Sequence, residues 1–201
     1  MPNQYQGNVA ASDGRFAIVV SRFNPSITSR LLDGAVQTLL AHGVAEDRID
    51  VAWVPGAFEI PTVAERLGAS GRYVAVICLG AVIRGETTHD QHISRAVSTA
   101  LAAAGVRHGL PVIFGVLTCN TLEQAVARSG GQAGTKGKDS PDSRPGNKGA
   151  EAAEAALEMV DLMAKLPPAL PSEKRTKDLA LFDQTALEDL IARLDRGGES
   201  P

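Results

Sequence analysis

The sequence predicts an α/β protein, a three-layer αβα sandwich built on a four-stranded parallel sheet. Short apolar runs rich in β-branched residues are typical of strands buried on both faces. They alternate along the chain with segments whose apolar residues recur every three or four positions, which is typical of helices. Strands joined by helices run parallel, so the helices cover both faces of the sheet. At 201 residues, 44% of them hydrophobic, the chain is long enough for one such domain.

The first half of the chain contains two predicted strand–helix units. Residues 15–20 form the first strand, and the helix after it places four apolar residues on one face: Ile27, Leu31, Ala35 and Leu39. Gly43 is expected to close this helix, because glycine readily adopts the left-handed conformation found just past helix ends. Residues 49–54 form the second strand, and a turn at residues 55–56 leads to a helix over about residues 61–67.

The second half of the chain contains the other two units. Residues 73–79 form the third strand, and its helix is amphipathic, with apolar residues at Ile93, Ala96, Val97, Ala100, Leu101 and Ala104. Residues 111–117 form the fourth strand. A short helix follows over residues 121–128. A longer helix over residues 150–166 has one apolar face, formed by Ala153, Ala156, Leu157, Val160 and Met163.

The join between the third strand and its helix is the most informative stretch, with the sequence GAVIRGETTHDQH over residues 80–92. Residues 85–88 are expected where the first N–H groups of the helix have no intrahelical partner. Such donors and the helix dipole favour an anion the size of a phosphate. His89 adds an ionisable imidazole to the same turn. From spacing alone, these residues could also be an ordinary threonine cap and polar histidine. The spacing matches neither a dinucleotide-binding glycine pattern nor a P-loop.

Two other strand ends carry residues that an ordinary turn does not need. Ligands of parallel sheets collect at the carboxyl ends of the strands. Phe23 and Asn24 follow the first strand, where Phe23 is either a plug over the core or a platform for a planar ligand. Glu59 follows the second strand and is either a first-turn helix residue or an acceptor for hydroxyl groups. Together the three ends predict a pocket for a planar, hydroxylated molecule beside a phosphate.

Composition and charge argue against several classes of function. The net charge is -3 and no basic stripe is interleaved with aromatic residues, so no nucleic-acid partner is expected. Cys78 and Cys119 fall in strand-like runs without a CxxC motif or histidine-rich surroundings. They are predicted to be buried thiols of a reducing compartment, with no disulfide and no metal site. No apolar run approaches the roughly 18 residues that span a bilayer, so a cytoplasmic protein without a membrane partner is expected.

Five segments, in this order and at these separations, resemble the lumazine synthase family: RFAIVVSRFN, VPGAFEIP, GAVIRGETTH, PVIFGVLT and GNKGAEAA. The resemblance covers about residues 7–166, and the combination of GAFEIP with VIRGxTxH is highly specific. It implies a flavodoxin-like fold and a transferase of riboflavin biosynthesis. This enzyme condenses 5-amino-6-ribitylaminouracil with 3,4-dihydroxy-2-butanone 4-phosphate. The implied products are 6,7-dimethyl-8-ribityllumazine, phosphate and water, and no cofactor is implied.

The resemblance also implies roles for individual residues. Phe23 would stack on the pyrimidine, and His89 would transfer protons during imine formation and phosphate loss. Val82 and Ile83 would offer backbone groups to the uracil. The other substrate-binding residues of the same chain would hold the ribityl chain and ring edge, namely Asn24, Gly56, Ala57, Phe58 and Glu59, or cradle the phosphate, namely Gly85, Glu86 and Thr87.

In the family the pocket lies between adjacent subunits of a pentamer, so the resemblance implies that Phe114 and Arg128 come from the neighbour. By itself Phe114 lies in mid-strand and would be predicted as core. Arg128 by itself would be an exposed helix-end residue. Across an interface, its guanidinium would bind the phosphate through two hydrogen bonds. Lys148 and Glu151 match a family pair near the site, and by themselves they would form an ordinary helix start.

The chain departs from the family pattern in three places. Residues 90–92, Asp-Gln-His, replace the usual aromatic and acidic residues after His89, and Asp90 is expected on a solvated helix face. Residues 129–147 form a longer insertion rich in glycine and serine, which is expected to be flexible. Beyond a domain that ends at residue 166, residues 167–201 are expected to form a proline-containing linker and a short amphipathic helix with one apolar stripe: Leu187, Leu190, Ile191 and Leu194.

Two other functions stay open from the sequence. A non-catalytic flavin- or lumazine-binding protein would keep Phe23 and Glu59, yet it would not need both His89 and Arg128. A compartment-forming protein would use the same fold. The sequence also leaves open whether the assembly is an isolated pentamer or an icosahedral capsid of pentamers.

Overall fold

The computed structural model describes residues 2–131 and 146–168. In these residues it contains nine main elements: β1 (Phe16–Ser21), α1 (Pro25–Ala41), β2 (Ile49–Val54), α2 (Ile60–Ala69), β3 (Ala75–Ile83), α3 (His89–His108), β4 (Val112–Cys119), α4 (Leu122–Arg128) and α5 (Lys148–Lys165). Short 3₁₀ turns precede β2 (Glu46–Arg48) and α2 (Ala57–Glu59).

The described elements belong to one compact unit that extends to Lys165, and a second unit begins at Leu166. The predicted tail helix and most of the predicted insertion lie outside the described residues. The proposed division into a domain, an insertion and a tail therefore stays a prediction.

The four strands run parallel in the order β2-β1-β3-β4. β1 and β3 are central, so apolar side chains cover them on both faces. One face packs against α1 and α5 through a cluster that includes Ile18, Leu31 and Leu157. The opposite face packs against α2 and α3 through Val19, Ile60 and Leu101. The predicted three-layer αβα sandwich is confirmed.

β3 is longer than the sequence predicts. It continues past residue 79 to Ile83 because its last four residues still pair with β4, ending with Ile83 opposite Cys119. Gly80 does not end the strand. A Cβ at Gly80 would lie 3.1 Å from Cδ1 of Ile60, so glycine allows α2 to approach the sheet closely. Because β3 is longer, α3 begins only at His89, and residues 85–88 form the loop before the helix instead of its first turn.

Two predicted helix faces are only partly buried. In α3 the buried members of the apolar stripe are Val97, Leu101 and Ala104. Ala96 and Ala100 are exposed, so their predicted burial is wrong; a helix on one face of a sheet needs only a stripe about 100° wide. In α5 Val160 is half-buried and Met163 is exposed, because the core cluster on that face ends one turn earlier.

α1 ends where the sequence predicts. Gly43 adopts a left-handed conformation with φ 85°. Its N–H donates to the carbonyl of Leu40 at 3.0 Å, and the N–H of Val44 donates to that of Leu39 at 3.1 Å. These two bonds satisfy the last free carbonyls of the helix and turn the chain back towards β2.

Candidate active site at the carboxyl ends of the strands

The loops that follow β1, β2 and β3 meet at the carboxyl end of the sheet. We refer to these three loops, residues 22–24, 55–59 and 84–88, as the strand-end site. The N–H of Phe23 donates to the carbonyl of Pro55 at 3.1 Å, which joins the first loop to the second. The side-chain amide of Asn24 donates to the carbonyl of Ala81 at 3.0 Å, which joins the first loop to β3. The three strand ends that carry unusual residues in the sequence are therefore adjacent.

Phe23 points its ring away from the core. Its side chain is 67% exposed, so the interpretation as a plug over the core is wrong. Its backbone is nevertheless fixed by the bond to Pro55, and the neighbouring Ser21 is fully buried. An exposed ring on a fixed backbone offers a face on which a planar ligand can stack.

The loop after β2, which the Phe23 backbone contacts at Pro55, carries the carboxylate of Glu59. One oxygen of Glu59, Oε2, accepts a hydrogen bond from the N–H of Gly56 at 2.9 Å, which closes the short 3₁₀ turn. Within this turn Ala57 is buried and Phe58 is 59% exposed. An ionised carboxylate has about four acceptor positions, so Glu59 keeps capacity for hydroxyl donors while it holds its own loop.

At the end of β3, the backbone N–H and C=O groups point alternately to β4 and to the β1 side. The N–H groups of Val76 and Arg84 donate to carbonyls on the β4 side, at 2.9 and 2.8 Å. The N–H and C=O groups of consecutive strand residues point to opposite neighbouring strands. The backbone groups of Val82 therefore also point to β4, and those of Ile83 point to the β1 side. The pairing of β1 with β3 ends before this level, so only Ile83 faces an opening that could receive a ligand.

The loop of residues 84–88 and the start of α3 are exposed. Thr88 is the N-cap of α3, but its side chain makes no capping bond. The backbone at Gly85 has open space around it, with no atom within 4 Å of a Cβ placed there. Although residues 85–88 precede the helix, its positive N-terminal end still points towards them, which favours an anion in this loop. His89 is exposed at the first helical position.

Asp90 does not lie on a solvated face, and that prediction is wrong. The residue is half-buried. Its Oδ1 atom is shielded from solvent and has no hydrogen-bond partner among the described residues. Its backbone carbonyl accepts a bond from the Ser94 hydroxyl at 2.7 Å. His92, one turn further from the strand-end site than His89, is exposed.

Phe114 is not a core residue in the described chain, because 44% of its side chain is exposed on the edge strand β4. It pairs in register with Cys78, whereas Thr118 pairs with Val82. Four residues therefore separate it from the level of the strand-end site, which is about 13 Å along a strand. The chain does not bring Phe114 to its own strand-end site.

Arg128 ends α4 and is exposed, and its guanidinium donates a long bond of 3.4 Å to the carbonyl of Gln124. Burial raises the pKa of the Cys119 thiol, and the charge of Arg128 lowers it by a smaller amount. The guanidinium thus lies near the carboxyl end of β4. Lys148 and Glu151 form an exposed ion pair of 2.5 Å in the first turn of α5, as expected for a helix start.

Two groups beside the site escaped prediction. The carbonyl of Ala81 receives the Asn24 amide, and Cys119 lies near Arg128. An alanine carries no chemical signal, and only the position of Cys119 at the end of a strand-like run could have indicated that it lies at the same edge of the sheet.

The two cysteines are free and buried, as predicted. Burial raises the pKa of Cys78 strongly, so this thiol stays protonated. In residues 2–131 and 146–168, no group of three or more histidine, cysteine or acidic side chains could hold a metal ion. Over the same residues, every helix is too short or too polar to cross a membrane.

A protein-family model matches most of this chain. The model of the family described as 6,7-dimethyl-8-ribityllumazine synthase matches residues 13–164, which include β1 to α5 and all three loops of the strand-end site. The match covers most of the chain, and the parallel sheet and its helices agree with it. This chain therefore belongs to the 6,7-dimethyl-8-ribityllumazine synthase family, whose members act in riboflavin biosynthesis.

Proposed function

We propose that this chain condenses 5-amino-6-ribitylaminouracil with 3,4-dihydroxy-2-butanone 4-phosphate to form 6,7-dimethyl-8-ribityllumazine, a transferase reaction. Family membership supports the reaction type. The observation that carries the choice of substrate is the exposed ring of Phe23, held next to the loop that carries Glu59. A flat pyrimidine with a hydroxylated chain fits this pair, because the ring can stack while the hydroxyls donate to the carboxylate.

The second substrate fits the loop before α3. In the proposed reaction the pyrimidine amine attacks the ketone and water leaves as the imine forms. Phosphate is then eliminated from C4 with loss of the C3 proton, and the resulting enol tautomerises to a new ketone at C3. Attack of the ribitylamino nitrogen on this ketone closes the ring with loss of a second water. The N-terminal end of α3 favours the phosphate at residues 85–87. His89, at the first position of that helix, would move protons in these steps.

We also propose that the site is completed by a second subunit in a pentamer. Both edge strands expose large apolar side chains, Trp53 in β2 and Phe114 in β4, which are 45% and 44% exposed. Val51 is 41% exposed on the same face of β2 as Trp53, and an apolar surface of this kind is typical of one that another molecule covers. In this arrangement the neighbour supplies Phe114 for the pyrimidine and Arg128 for the phosphate. Lys148 and Glu151 are placed near the same site only by resemblance to the family.

The test is a reaction of the purified chain with both substrates, without added metal or nucleotide, followed by the absorbance of the lumazine. We expect steady product formation that survives exhaustive chelation. A chain that binds the pyrimidine without making product would instead be a binding protein, and loss of activity on chelation that a metal restores would contradict the cofactor-free reaction.

A further inference from the structure

A gap opens between β1 and β3 at the carboxyl end of the sheet. Their pairing ends at Val20 with Leu79, although β3 continues along β4 to Ile83. The N–H groups of Val76 in β3 and of Arg84 just after it donate on the β4 side. Backbone groups of consecutive strand residues alternate in direction, so the carbonyl of Ala81 points to the opposite side, where β1 has ended. A buried carbonyl without its strand partner needs another donor.

Asn24 supplies that donor. Its Nδ2 atom donates to the carbonyl of Ala81 at 3.0 Å, across 57 residues of sequence. Asn24 is the N-cap of α1, yet its side chain makes no capping bond to the helix. Its backbone carbonyl instead accepts bonds from the N–H groups of Ile27 at 2.9 Å and Thr28 at 3.1 Å. One residue thus starts α1 with its backbone and ties the loop to β3 with its side chain.

The backbone of Asn24 has an unusual conformation. With φ 59° and ψ 55° it is left-handed, and in the described part of the chain it is the one residue other than glycine with positive φ. Asparagine tolerates this region better than most residues, and strain of this kind persists where surrounding bonds hold it. The left-handed turn sets the direction of the chain directly after Phe23.

The ring of Phe23 has little packing of its own, so its direction depends on the backbone at either side. On the N-terminal side, Arg22 N donates to Val54 O at 2.8 Å, and the N–H of Phe23 itself donates to Pro55 at 3.1 Å. On the C-terminal side, the tether is Asn24 with its bond to Ala81. Removing that bond would free one end of the segment that carries the ring.

We propose that Asn24 is a positioning residue, which fixes the ring of Phe23 for stacking by bridging the gap between β1 and β3. The proposal rests on the proposed function in one respect, since the stacked ligand is the pyrimidine substrate. It differs from the direct contact with the ribityl chain that the family resemblance implies for Asn24. In this arrangement the side-chain amide acts on the substrate only through Phe23.

Two substitutions separate the amide from the backbone conformation. Asn24→Gly removes the amide, and glycine adopts the left-handed conformation readily. Aspartate also adopts this conformation, but Asn24→Asp places a carboxylate against the Ala81 carbonyl. We expect both to raise the KM for the pyrimidine about tenfold, the usual effect of losing one buried hydrogen bond, and to change kcat and the KM for the butanone phosphate less than about twofold. The matched control is Tyr73→Phe, which removes a hydrogen bond at the opposite end of the sheet and should change none of the three.

A double-substitution cycle with Phe23 distinguishes positioning from direct contact. If Asn24 acts through Phe23, Asn24→Gly should have less than about a twofold effect in a Phe23→Ala background, because residues that act as one unit are not additive. The same tenfold effect in both backgrounds would mean that Asn24 contacts the substrate itself, and it would overturn the proposal.

Hydrogen exchange tests the bridge without reference to catalysis. The amides of Arg22 and Phe23 should exchange about tenfold faster in Asn24→Gly than in the wild type, and at the wild-type rate in Tyr73→Phe. A wild-type chain that makes no lumazine would contradict the proposed function alone. Unchanged exchange of these two amides in Asn24→Gly would overturn the role of Asn24 whatever the activity.

Discussion

Phe23 and Phe114 each expose a large aromatic ring, one in the loop after β1 and the other in the edge strand β4. Apolar area left in water forgoes about 25 cal/mol per Å² of stabilisation. Rings exposed in this way are therefore best explained by surfaces that a ligand or another subunit covers. At the scale of single residues, exposure distinguishes these rings and that of Phe58 from Phe16, which is buried.

The imidazole of His89 is expected to help the reaction without being essential. Amines and ketones already react slowly in water, so most of the acceleration should come from holding both substrates together. We predict that His89→Ala lowers kcat by about 10²-fold, near the lower end for an acid–base group. His42→Ala, at the far end of α1, is the control. Complete inactivity of a folded, assembled His89→Ala protein would contradict this view.

Arg128 is expected to act on the phosphorylated substrate. A charge-assisted contact contributes roughly 1.5–3 kcal/mol, so Arg128→Ala should weaken the apparent affinity for the butanone phosphate about 10- to 150-fold. The affinity for the pyrimidine should stay close to that of the wild type. Steady-state kinetics with each substrate varied in turn provides the measurement, with Arg66→Ala in α2 as the control. A larger loss for the pyrimidine would mean that Arg128 has been assigned to the wrong substrate.

At the scale of elements, the amino-terminal ends of three strands are joined by a polar cluster far from the strand-end site. Arg15, just before β1, donates to both carboxylate oxygens of Asp50 in β2, at 3.1 and 3.2 Å. Tyr73, just before β3, donates its hydroxyl to the same carboxylate at 2.8 Å. The cluster holds β1, β2 and β3 together at their amino-terminal ends, which the loops at the carboxyl ends do not contact.

This cluster predicts a pH-dependent stability. The hydrogen bond from Tyr73, followed by that from Arg15, lowers the pKa of Asp50 below its ordinary value of 3.8. The folded state therefore favours the charged carboxylate. Its stabilisation is fully present above pH 3.8 and is lost as the pH falls through the lowered pKa. Because the Asp50 side chain is 40% exposed, solvent weakens the effect.

We predict that Asp50→Asn lowers the thermal unfolding temperature at neutral pH, and that its difference from the wild type shrinks as the pH falls below 3.8. Thermal unfolding at a series of pH values checks this. Asp33→Asn, which changes an exposed aspartate of α1, should follow the wild-type curve throughout. A difference between Asp50→Asn and the wild type that stays constant with pH would show that the carboxylate charge is not involved.

At the scale of the whole molecule, the ends of the predicted insertion are held together. Ser129 and Asn147 form an isolated β-bridge, and the Asn147 amide also donates to the Ser129 carbonyl at 3.2 Å. The same amide donates to the carbonyl of Arg30 in α1 at 2.8 Å. The chain on either side of residues 132–145 is thus anchored to the folded core, which is expected to form the pentamer interface whatever the length of the insertion.

We predict that the full-length chain is an isolated pentamer of about 105 kDa, five chains of 21.0 kDa, because the long insertion hinders closure of pentamers into a capsid. Light scattering provides the mass. The matched variants are a chain in which a short glycine–serine linker replaces residues 132–145 and a chain that ends at residue 166. A capsid formed by the wild type would reject the prediction. A capsid formed only by the chain that ends at residue 166 would assign the hindrance to the tail instead of the insertion.

The order and type of the elements followed from the sequence alone. Apolar periodicity is local, so it located the four strands and the helices between them, and Gly43 marked the end of α1. The predicted carboxyl end of β3 was wrong, because Gly80 and the residues after it stay in the sheet through pairing with β4. The motifs at residues 23–24, 55–59 and 85–89 predicted the candidate site.

Only the tertiary structure decided how those motifs act together. The exposure of Phe23, the shielded Oδ1 of Asp90 and the bond from Asn24 to Ala81 each depend on residues far away in the sequence. No local pattern encodes them. The bond from Asn24 to Ala81, for example, forms where the pairing of β1 with β3 ends while β3 continues along β4. Sequence periodicity determines which segments form strands, whereas the relative lengths of paired strands determine where a gap opens and which side chain must fill it.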